Sequence, residues 1–166
     1  MVEFTPDCKN CAALCCVALA FDKGDMFAFD KPAGVACHHL NGSVCGIHGA
    51  LESAGLKGCV LYQCGGAGQR VVQEVFAGQS WQADPALLHP MMEAFTRMRQ
   101  VHELLALLAT AKALPLPRTH RTALNALVRQ LMPARWSPES LEAFERSDLP
   151  KKTRAFLRGL QEVVSR

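Results

Sequence analysis

Apolar residues are arranged in two different ways along this chain. From Pro85 to Leu114 they recur at helical spacing, which predicts one long helix or two broken helices. The predicted buried stripe consists of Leu88, Met91, Met92, Phe95, Met98, His102, Leu105 and Ala109. The preceding residues mix short apolar runs with glycine-rich turns, which predicts loops and short elements. The two parts of the chain are therefore expected to fold in different ways.

Three more helices are predicted after the prolines that end this stripe. The segment 118–132 has the pattern of the first of them. Ser137 followed by Pro138 predicts the start of the second, because a serine side chain can cap a helix and proline suits its first position. Pro150 predicts the start of the third in the same way. The inward-facing positions are Leu124, Leu127, Val128, Leu131, Phe156, Leu157, Leu160 and Val164.

A helix is also predicted over the first cysteines, because the Thr-Pro-Asp run at residues 5–7 offers a capping hydroxyl, a proline and a carboxylate. Helical spacing would put Cys8, Cys11 and Cys15 on one stripe. Cys8 and Cys15 would then lie about 10 Å apart, whereas sulfurs that share a zinc ion lie about 4 Å apart. Either the first turn is irregular or the cysteines serve more than one ion. Cys15 and Cys16 are expected to face different partners, because neighbouring helical side chains diverge by about 100°. A pair of ions or a multi-iron cluster would use both, and the alternative is one ligand beside one buried core thiol.

The rest of the amino-terminal part is predicted to be loops. Residues 22–36 have the composition of a loop with at most one short strand, around Met26 to Phe29. Asn41-Gly42 predicts a tight turn between candidate ligands, and residues 52–57 predict a short helical turn.

These patterns predict a mainly α protein. Its amino-terminal half is expected to be loop-rich, organised by cysteines and metal, with at most short strands, and a small helical bundle follows. The predicted parts are a cysteine-rich metal-binding module at residues 1–81 and a helical C-terminal region at residues 82–166. One continuous compact unit is the alternative, and 166 residues with 49% apolar composition suffice for its core.

All eight cysteines precede residue 65, and such crowding indicates a task that needs sulfur. The candidate tasks are metal ligation, disulfide bracing and thiol redox chemistry. The candidate metal ligands are Cys8, Cys11, Cys15, Cys16, Cys37, Cys45, Cys59 and Cys64. The apolar run at 11–21 lacks the basic residues and cleavage site of a signal peptide and is too short to span a bilayer. A cytoplasmic protein outside the membrane is expected, and in a reducing cytoplasm clustered cysteines are more often ligands or catalytic thiols than bridges.

Other candidate residues are assigned plainer roles. His38, His39 and His48 could supply nitrogen ligands, but eight thiolates are available, so roles at the surface or outside the ligand shell are favoured. His102 is expected to be a core histidine with a hydrogen-bond partner. The Gly-Gly-Ala-Gly-Gln run at 65–69 lacks the Lys-Ser/Thr of a phosphate loop and the third glycine of a dinucleotide loop. Its glycines are expected to let the backbone pack close to a metal or cluster.

The cysteine motifs occur in a distinctive order. They are Cys8-x-x-Cys11-x-x-x-Cys15-Cys16, Cys37-x-x-Leu40, Cys45-x-Ile47-His48, Cys59 and Cys64. This series resembles the bacterial YkgJ-type cysteine-cluster family of zinc- or iron-chelating proteins, and within it the module that precedes pentapeptide repeats in some bacterial proteins. The similarity covers residues 8–81 and includes the segments Cys-Cys-Val-Ala-Leu, Phe-Asp-Lys-Pro-Ala-Gly, Cys-Gly-Ile-His and Gly-Ala-Gly-Gln. The resemblance implies metal ligation by the cysteines.

Three features depart from the pattern of that family. His48 stands where a tyrosine is usual, and Lys57-Gly58 stands where Arg-Pro is usual. The loop before Cys59 is therefore expected to have a different shape. A helical region follows in place of pentapeptide repeats. A flagellin lysine methylase has a similar cysteine cluster, which keeps an iron–sulfur centre open beside zinc.

Three functions are compatible with the sequence. The first is metal binding, in which most of the eight thiolates hold zinc or an iron–sulfur centre, as two four-cysteine sites or one polynuclear site. The second is a thiol redox enzyme that uses the Cys8-x-x-Cys11 pair, although only residues 2–6 are available for the strand that usually precedes such a pair. The third is an interaction protein with a structural metal and a basic tail, because residues 118–166 carry ten Lys/Arg and five Asp/Glu. Its basic residues are dispersed and its aromatic residues few, so a protein partner is favoured over nucleic acid. No reaction is predicted.

Overall fold

The computed structural model describes residues 4–164, with side chains described as far as Gln161. The α-helices are α1 (Leu14–Ala18), α2 (Lys57–Leu61), α3 (Ala67–Arg70), α4 (Leu88–Lys112), α5 (Arg118–Leu131), α6 (Pro138–Arg146) and α7 (Leu149–Val164). An antiparallel hairpin pairs β1 (Leu40–Asn41) with β2 (Val44–Cys45). Single 3-10 turns lie at Cys8–Asn10, His48–Ala50 and Pro85–Leu87, and a π-helical turn lies at Val71–Val75. The predicted mainly α fold class is confirmed.

Helix α4 is the element around which the others pack. It contacts α1, α3 and the π-helical turn, and it also contacts α5, α6 and α7. Its side chains Met91, Phe95, Met98, Leu104 and Leu108 are almost completely buried. Burying one such side chain contributes about 1.5–3 kcal/mol. Both parts of the chain therefore pack against helix α4.

One hydrophobic cluster contains residues from both parts of the chain. Leu14 and Val17 of α1 belong to it, and so do Val71 of the π-helical turn and Trp136 and Phe144 near α6. Residues before and after position 81 therefore contribute to one core. The predicted domain boundary at this position stays a prediction.

Local sequence signals predict the long helices well. Helix α4 is continuous, and α5 and α7 begin within one residue of their predicted starts. Ser137 caps α6 as predicted: its hydroxyl accepts a hydrogen bond from the Ser140 N–H at 3.2 Å, and Pro138 takes the first position. The Ser140 hydroxyl accepts from the Ser137 N–H at 2.8 Å in return, which completes a capping box.

The buried face of α4 is wider than predicted. Ala109, which was predicted to be buried, is exposed, whereas Val101, Leu104 and Leu108 are buried. The other predicted members of the stripe are buried or half-buried. Helices pack on several sides of α4, so it buries more than one stripe. The side chain of Val164, predicted to be buried in α7, lies outside the described residues.

The helix predicted over the first cysteines is broken. Asp7 caps a single 3-10 turn, and its side chain accepts a hydrogen bond from the Lys9 N–H at 3.2 Å. Ala12 and Ala13 then take φ values of +48° and +52°, which belong to the left-handed region and cannot continue a right-handed helix. Helix α1 begins only after this bend. The prediction of a regular helix is therefore wrong, and the irregular first turn that was its alternative is the one that forms.

The chain between α1 and α2 is mostly loop, as predicted. Isolated bridges join Phe21 to Lys31 and Gly24 to Phe27, and the hairpin reverses through Gly42 and Ser43, one residue after the predicted start of the turn at Asn41. Gly42 has a φ of +56° there, which glycine adopts without strain. No helix in the part of the chain that the structure describes is both long and apolar enough to cross a membrane.

Candidate metal centre

Cys15 and Cys16 lie side by side in α1. Their sulfur atoms are 4.0 Å apart, which is about the separation of two sulfurs on one tetrahedral zinc ion with bonds of about 2.3 Å. The two sulfurs therefore lie together despite the expected divergence of their side chains, while different partners for them stay a prediction. Each sulfur lies one bond beyond its Cβ, so the choice of rotamer can bring neighbouring sulfurs together. The two thiols are close enough to act on one ion.

Cys8 and Cys11 are held by the turn before the bend. The Cys11 thiol donates a hydrogen bond to the Cys8 carbonyl at 3.2 Å, and Cys11 is buried. Gly68 of α3 packs directly on this side chain, because a Cβ at Gly68 would lie 3.0 Å from Cys11 Cβ and 3.8 Å from its sulfur. Gln69 fastens the same turn by accepting a hydrogen bond from the Asp7 N–H at 3.0 Å. The glycine run thus brings α3 against the first cysteines.

Backbone hydrogen bonds bring Cys37 beside α1. The Cys37 N–H donates to the Cys16 carbonyl at 3.0 Å, and the Gly34 N–H donates to the Val17 carbonyl at 2.9 Å. The loop that leaves α1 therefore returns to it before the hairpin starts. This return places a third segment of chain next to the α1 cysteines.

Cys45 and Cys59 are contributed by β2 and α2. Helix α2 starts at Lys57, where the predicted helical turn was expected to end. The Gly58 N–H donates to the Met26 carbonyl at 3.0 Å, which joins α2 to the loop between α1 and β1. Cys59, the next residue, is thereby placed close to that loop.

These later thiols act on one another electrostatically. Burial raises the pKa of the Cys59 thiol, and the thiols of Cys15, Cys37 and Cys45 raise it further. The pKa of Cys15 is raised by its contact with the Cys16 thiol and then by burial. Thiols on α1, the returning loop, the hairpin and α2 therefore influence one another's charge.

The amino-terminal thiols belong to the same group. Burial raises the pKa of Cys8, and the thiols of Cys15 and Cys64 raise it further. Burial also raises the pKa of Cys11, to about 12. Because Cys15 acts on both sets, all eight thiols form one electrostatically connected group. All eight are free rather than paired in disulfides.

The chemistry of the donors fits a soft metal ion. Among the side chains that the structure describes, no three of the Cys, His, Asp or Glu type form a group that could hold a metal ion as they stand. Thiols are nevertheless the donors that zinc and iron–sulfur clusters take. The eight sulfurs supply enough of them for either kind of centre.

Tyr62 is a second sign that an acceptor of hydrogen bonds belongs here. Its hydroxyl is buried and has no hydrogen-bond partner in the described structure, which is costly for a polar group. Burial raises its pKa, Arg99 lowers it, and the thiols of Cys64 and Cys15 raise it. The charges of two candidate ligands therefore influence this unpaired hydroxyl.

The candidate histidines are exposed or packed against other rings. His38 is exposed, and its ring lies 4.3 Å from that of Phe29 and 4.0 Å from that of His39, measured between centroids. His48 is exposed as well. His102 is the core histidine that was predicted: it is 2% exposed, and its Nδ1 lies 2.6 Å from the Gly65 carbonyl oxygen.

Lys31 is the charged residue of this region that sequence reasoning missed. It is only 4% exposed, although a lysine in a turn-rich loop is ordinarily solvated. Its ammonium donates hydrogen bonds to the carbonyls of Val17, Pro32 and Val35 at 3.3, 3.1 and 3.0 Å. No local sequence signal reveals its burial, because its hydrogen-bond acceptors are backbone carbonyls of α1 and of the loop that follows.

One curated relative matches most of the chain. It is the uncharacterized protein YybG of Bacillus subtilis (strain 168), which is 35% identical over 130 residues. These residues make up 78% of this chain but 47% of the relative, so the chain spans about half of the length of that protein. Because the match is longer than residues 1–81, the similarity extends into the helical region. No family model matches the chain, and no solved structure matches it.

Proposed function

We propose that this protein binds metal through its clustered cysteine thiolates, which hold zinc or an iron–sulfur centre. The observation that supports this most strongly is that the eight thiols are free and that the backbone returns Cys37 to α1, where its N–H donates to the Cys16 carbonyl at 3.0 Å. The 4.0 Å separation of the Cys15 and Cys16 sulfurs supports a shared ion. The motif order also leads us to place the chain in the YkgJ-type cysteine-cluster family.

Metal binding at such thiols would exchange protons for the ion. Burial raises the pKa of Cys11 to about 12 and also raises that of Cys59. These groups are therefore protonated thiols at neutral pH in the metal-free protein, and a bound cation would favour their thiolates. Loading is expected to release protons, so the affinity should fall as the pH is lowered.

Loading would also draw the sulfurs closer together. The segments that carry them are a single 3-10 turn, two helices of five residues, a two-residue strand and loops. Such short elements adjust at little cost compared with α4, which is packed on several sides. The metal would thus be part of what orders the amino-terminal half, and the eight reduced thiols suit a cytoplasmic location.

The test is metal analysis of the full chain purified without oxygen. We expect at least one zinc ion per chain in colourless protein, or iron and acid-labile sulfide in brown protein. The double variant Cys15→Ser/Cys16→Ser should lose at least half of this metal. It lacks two adjacent sulfurs, and one of them, that of Cys15, influences both the amino-terminal and the later thiols. The control Ala20→Ser adds a hydroxyl at an exposed position just beyond α1 and should keep all of it. Metal-free wild-type protein, or equal metal in both variants, would refute the proposal.

The thiol redox alternative receives less support. A redox pair needs a thiol whose pKa is lowered, whereas burial raises the pKa of Cys8 and Cys11. Eight titratable thiols in freshly purified, metal-free protein would reverse this preference.

A further inference from the structure

The side-chain ammonium group of Lys31 is enclosed by protein. Its three hydrogen bonds go to the backbone carbonyls of Val17, Pro32 and Val35. An ammonium has three N–H donors, so all of them are used, and none remains for a sulfur atom. The Phe21 ring lies below the same group, with 5.8 Å between Nζ and the ring centroid. The charge is therefore fixed in place by the loop that returns to α1.

No carboxylate in the described part of the chain forms an ion pair with Lys31. Burial lowers the pKa of Lys31, and four thiols act in the opposite direction: Cys37, Cys16, Cys15 and Cys59. Burying an unpaired charge is unfavourable. The only negative charge that these neighbours can supply is that of thiolates.

Backbone hydrogen bonds fix the position of Lys31 relative to those thiols. The Lys31 N–H donates to the Phe21 carbonyl at 2.8 Å, and the Phe21 N–H donates to the Lys31 carbonyl at 2.9 Å. Further along the same loop, the Cys37 N–H donates to the Cys16 carbonyl at 3.0 Å. The position of the ammonium relative to α1 is thus set by main-chain bonds on both sides.

We infer that Lys31 is the fixed counter-charge of the thiolate centre, a positioning residue that favours metal binding by Cys15, Cys16, Cys37 and Cys59. This inference rests on the proposed metal binding. Four thiolates around one divalent ion carry a net charge of about −2. A fixed positive charge beside such a centre favours the loaded state.

The test measures binding of Co²⁺ alone to the full reduced chain, by the charge-transfer absorption of cobalt–thiolate bonds. Lys31→Gln keeps hydrogen-bond donors but removes the charge, and Lys31→Arg keeps the charge. Lys23→Gln is the matched control, because Lys23 is an exposed lysine of the same loop. At neutral pH we expect Lys31→Gln to bind Co²⁺ at least about tenfold more weakly, Lys31→Arg to recover much of the loss, and Lys23→Gln to match wild type.

Lys31→Arg separates charge from packing, because it keeps the positive charge on a side chain of different shape. Wild-type affinity in Lys31→Gln, or equal weakening by Lys31→Gln and Lys31→Arg, would overturn the inference. Failure of the wild-type chain to bind Co²⁺ would instead refute the proposed metal binding.

A measurement on the unaltered chain makes the inference independent of how the variants fold. Lysine labelled with ¹⁵N allows the proton of Lys31 Nζ to be followed by nuclear magnetic resonance. Loading with Zn²⁺ should raise the pH at which Lys31 loses its proton, while exposed Lys23 should not respond. An unchanged Lys31 midpoint in the loaded protein would overturn the inference.

Discussion

The indole of Trp81 supports the bend between the first cysteines and α1. Its N–H donates a 2.8 Å hydrogen bond to the carbonyl of Ala12, a residue that is 5% exposed. Trp81→Phe removes the donor and leaves this carbonyl without that partner. Losing the partner of a buried polar group costs about 1–3 kcal/mol. We therefore expect the free energy of unfolding to fall by about 2 kcal/mol.

Trp136 provides a matched control, because its environment is the opposite. It is 4% exposed and packs edge-on against Phe144 with 5.8 Å between ring centroids, yet its indole nitrogen is buried without a hydrogen-bond partner in the described structure. Trp136→Phe gives up part of this packing, but it also removes an unsatisfied donor worth about 1–3 kcal/mol. The two effects offset, so the free energy of unfolding should change by less than about 1 kcal/mol.

The assay is urea unfolding followed by far-ultraviolet circular dichroism, which reports helix content and does not depend on the replaced indoles. Both variants and wild type are compared at the same pH, metal content and thiol reductant. If packing alone decided stability, the more deeply buried Trp136 would be the more sensitive site. A Trp136→Phe variant that is as destabilised as Trp81→Phe, or more so, would refute the reasoning.

Three further predictions concern other parts of the fold. Ser137→Ala removes the cap of α6 and should cost about 1 kcal/mol in urea unfolding; an unchanged midpoint would show that the capping box contributes nothing. Burial lowers the pKa of His102 from its usual 6.5, so the unfolded chain binds more protons, and stability should fall as the pH drops from about 6.5 towards the lower folded pKa. In His102→Gln this loss of stability below about pH 6.5 should disappear. If the loss persists, the ionisation of His102 is not its cause. Removing metal with a chelator should speed amide hydrogen exchange before residue 81 while α4 to α7 stay protected; uniform acceleration along the chain would count against it.

The long helices could be predicted because their signals are local. The spacing of apolar residues in α4 and the serine–proline start of α6 act within a few residues of the chain. The prediction failed at Ala109, because the number of helices that pack around α4 is a property of the whole fold. Periodicity shows that a helix has a buried face, but it does not show how wide that face is.

Of the candidate centre, only the type of residue that crowds there could be read from the sequence. Crowded cysteines indicate sulfur chemistry, but alanine gives no hint of the left-handed bend at Ala12 and Ala13, which is supported by Trp81 from far along the chain. Lys31 could not be predicted to be buried, because its hydrogen-bond acceptors are carbonyls whose positions depend on the loop returning to α1. Contacts between distant segments set both features.

The shared use of α4 has a practical consequence for anyone who dissects this protein. A fragment that ends near residue 81 would uncover the inner sides of Leu14, Val17 and Val71, each of which is fully buried in the intact chain. Exposing each of these side chains to water removes about 1.5–3 kcal/mol of stabilising free energy. Excised cysteine-rich fragments should therefore aggregate or lose order even with every thiol intact, and co-expression with the missing helices should restore them.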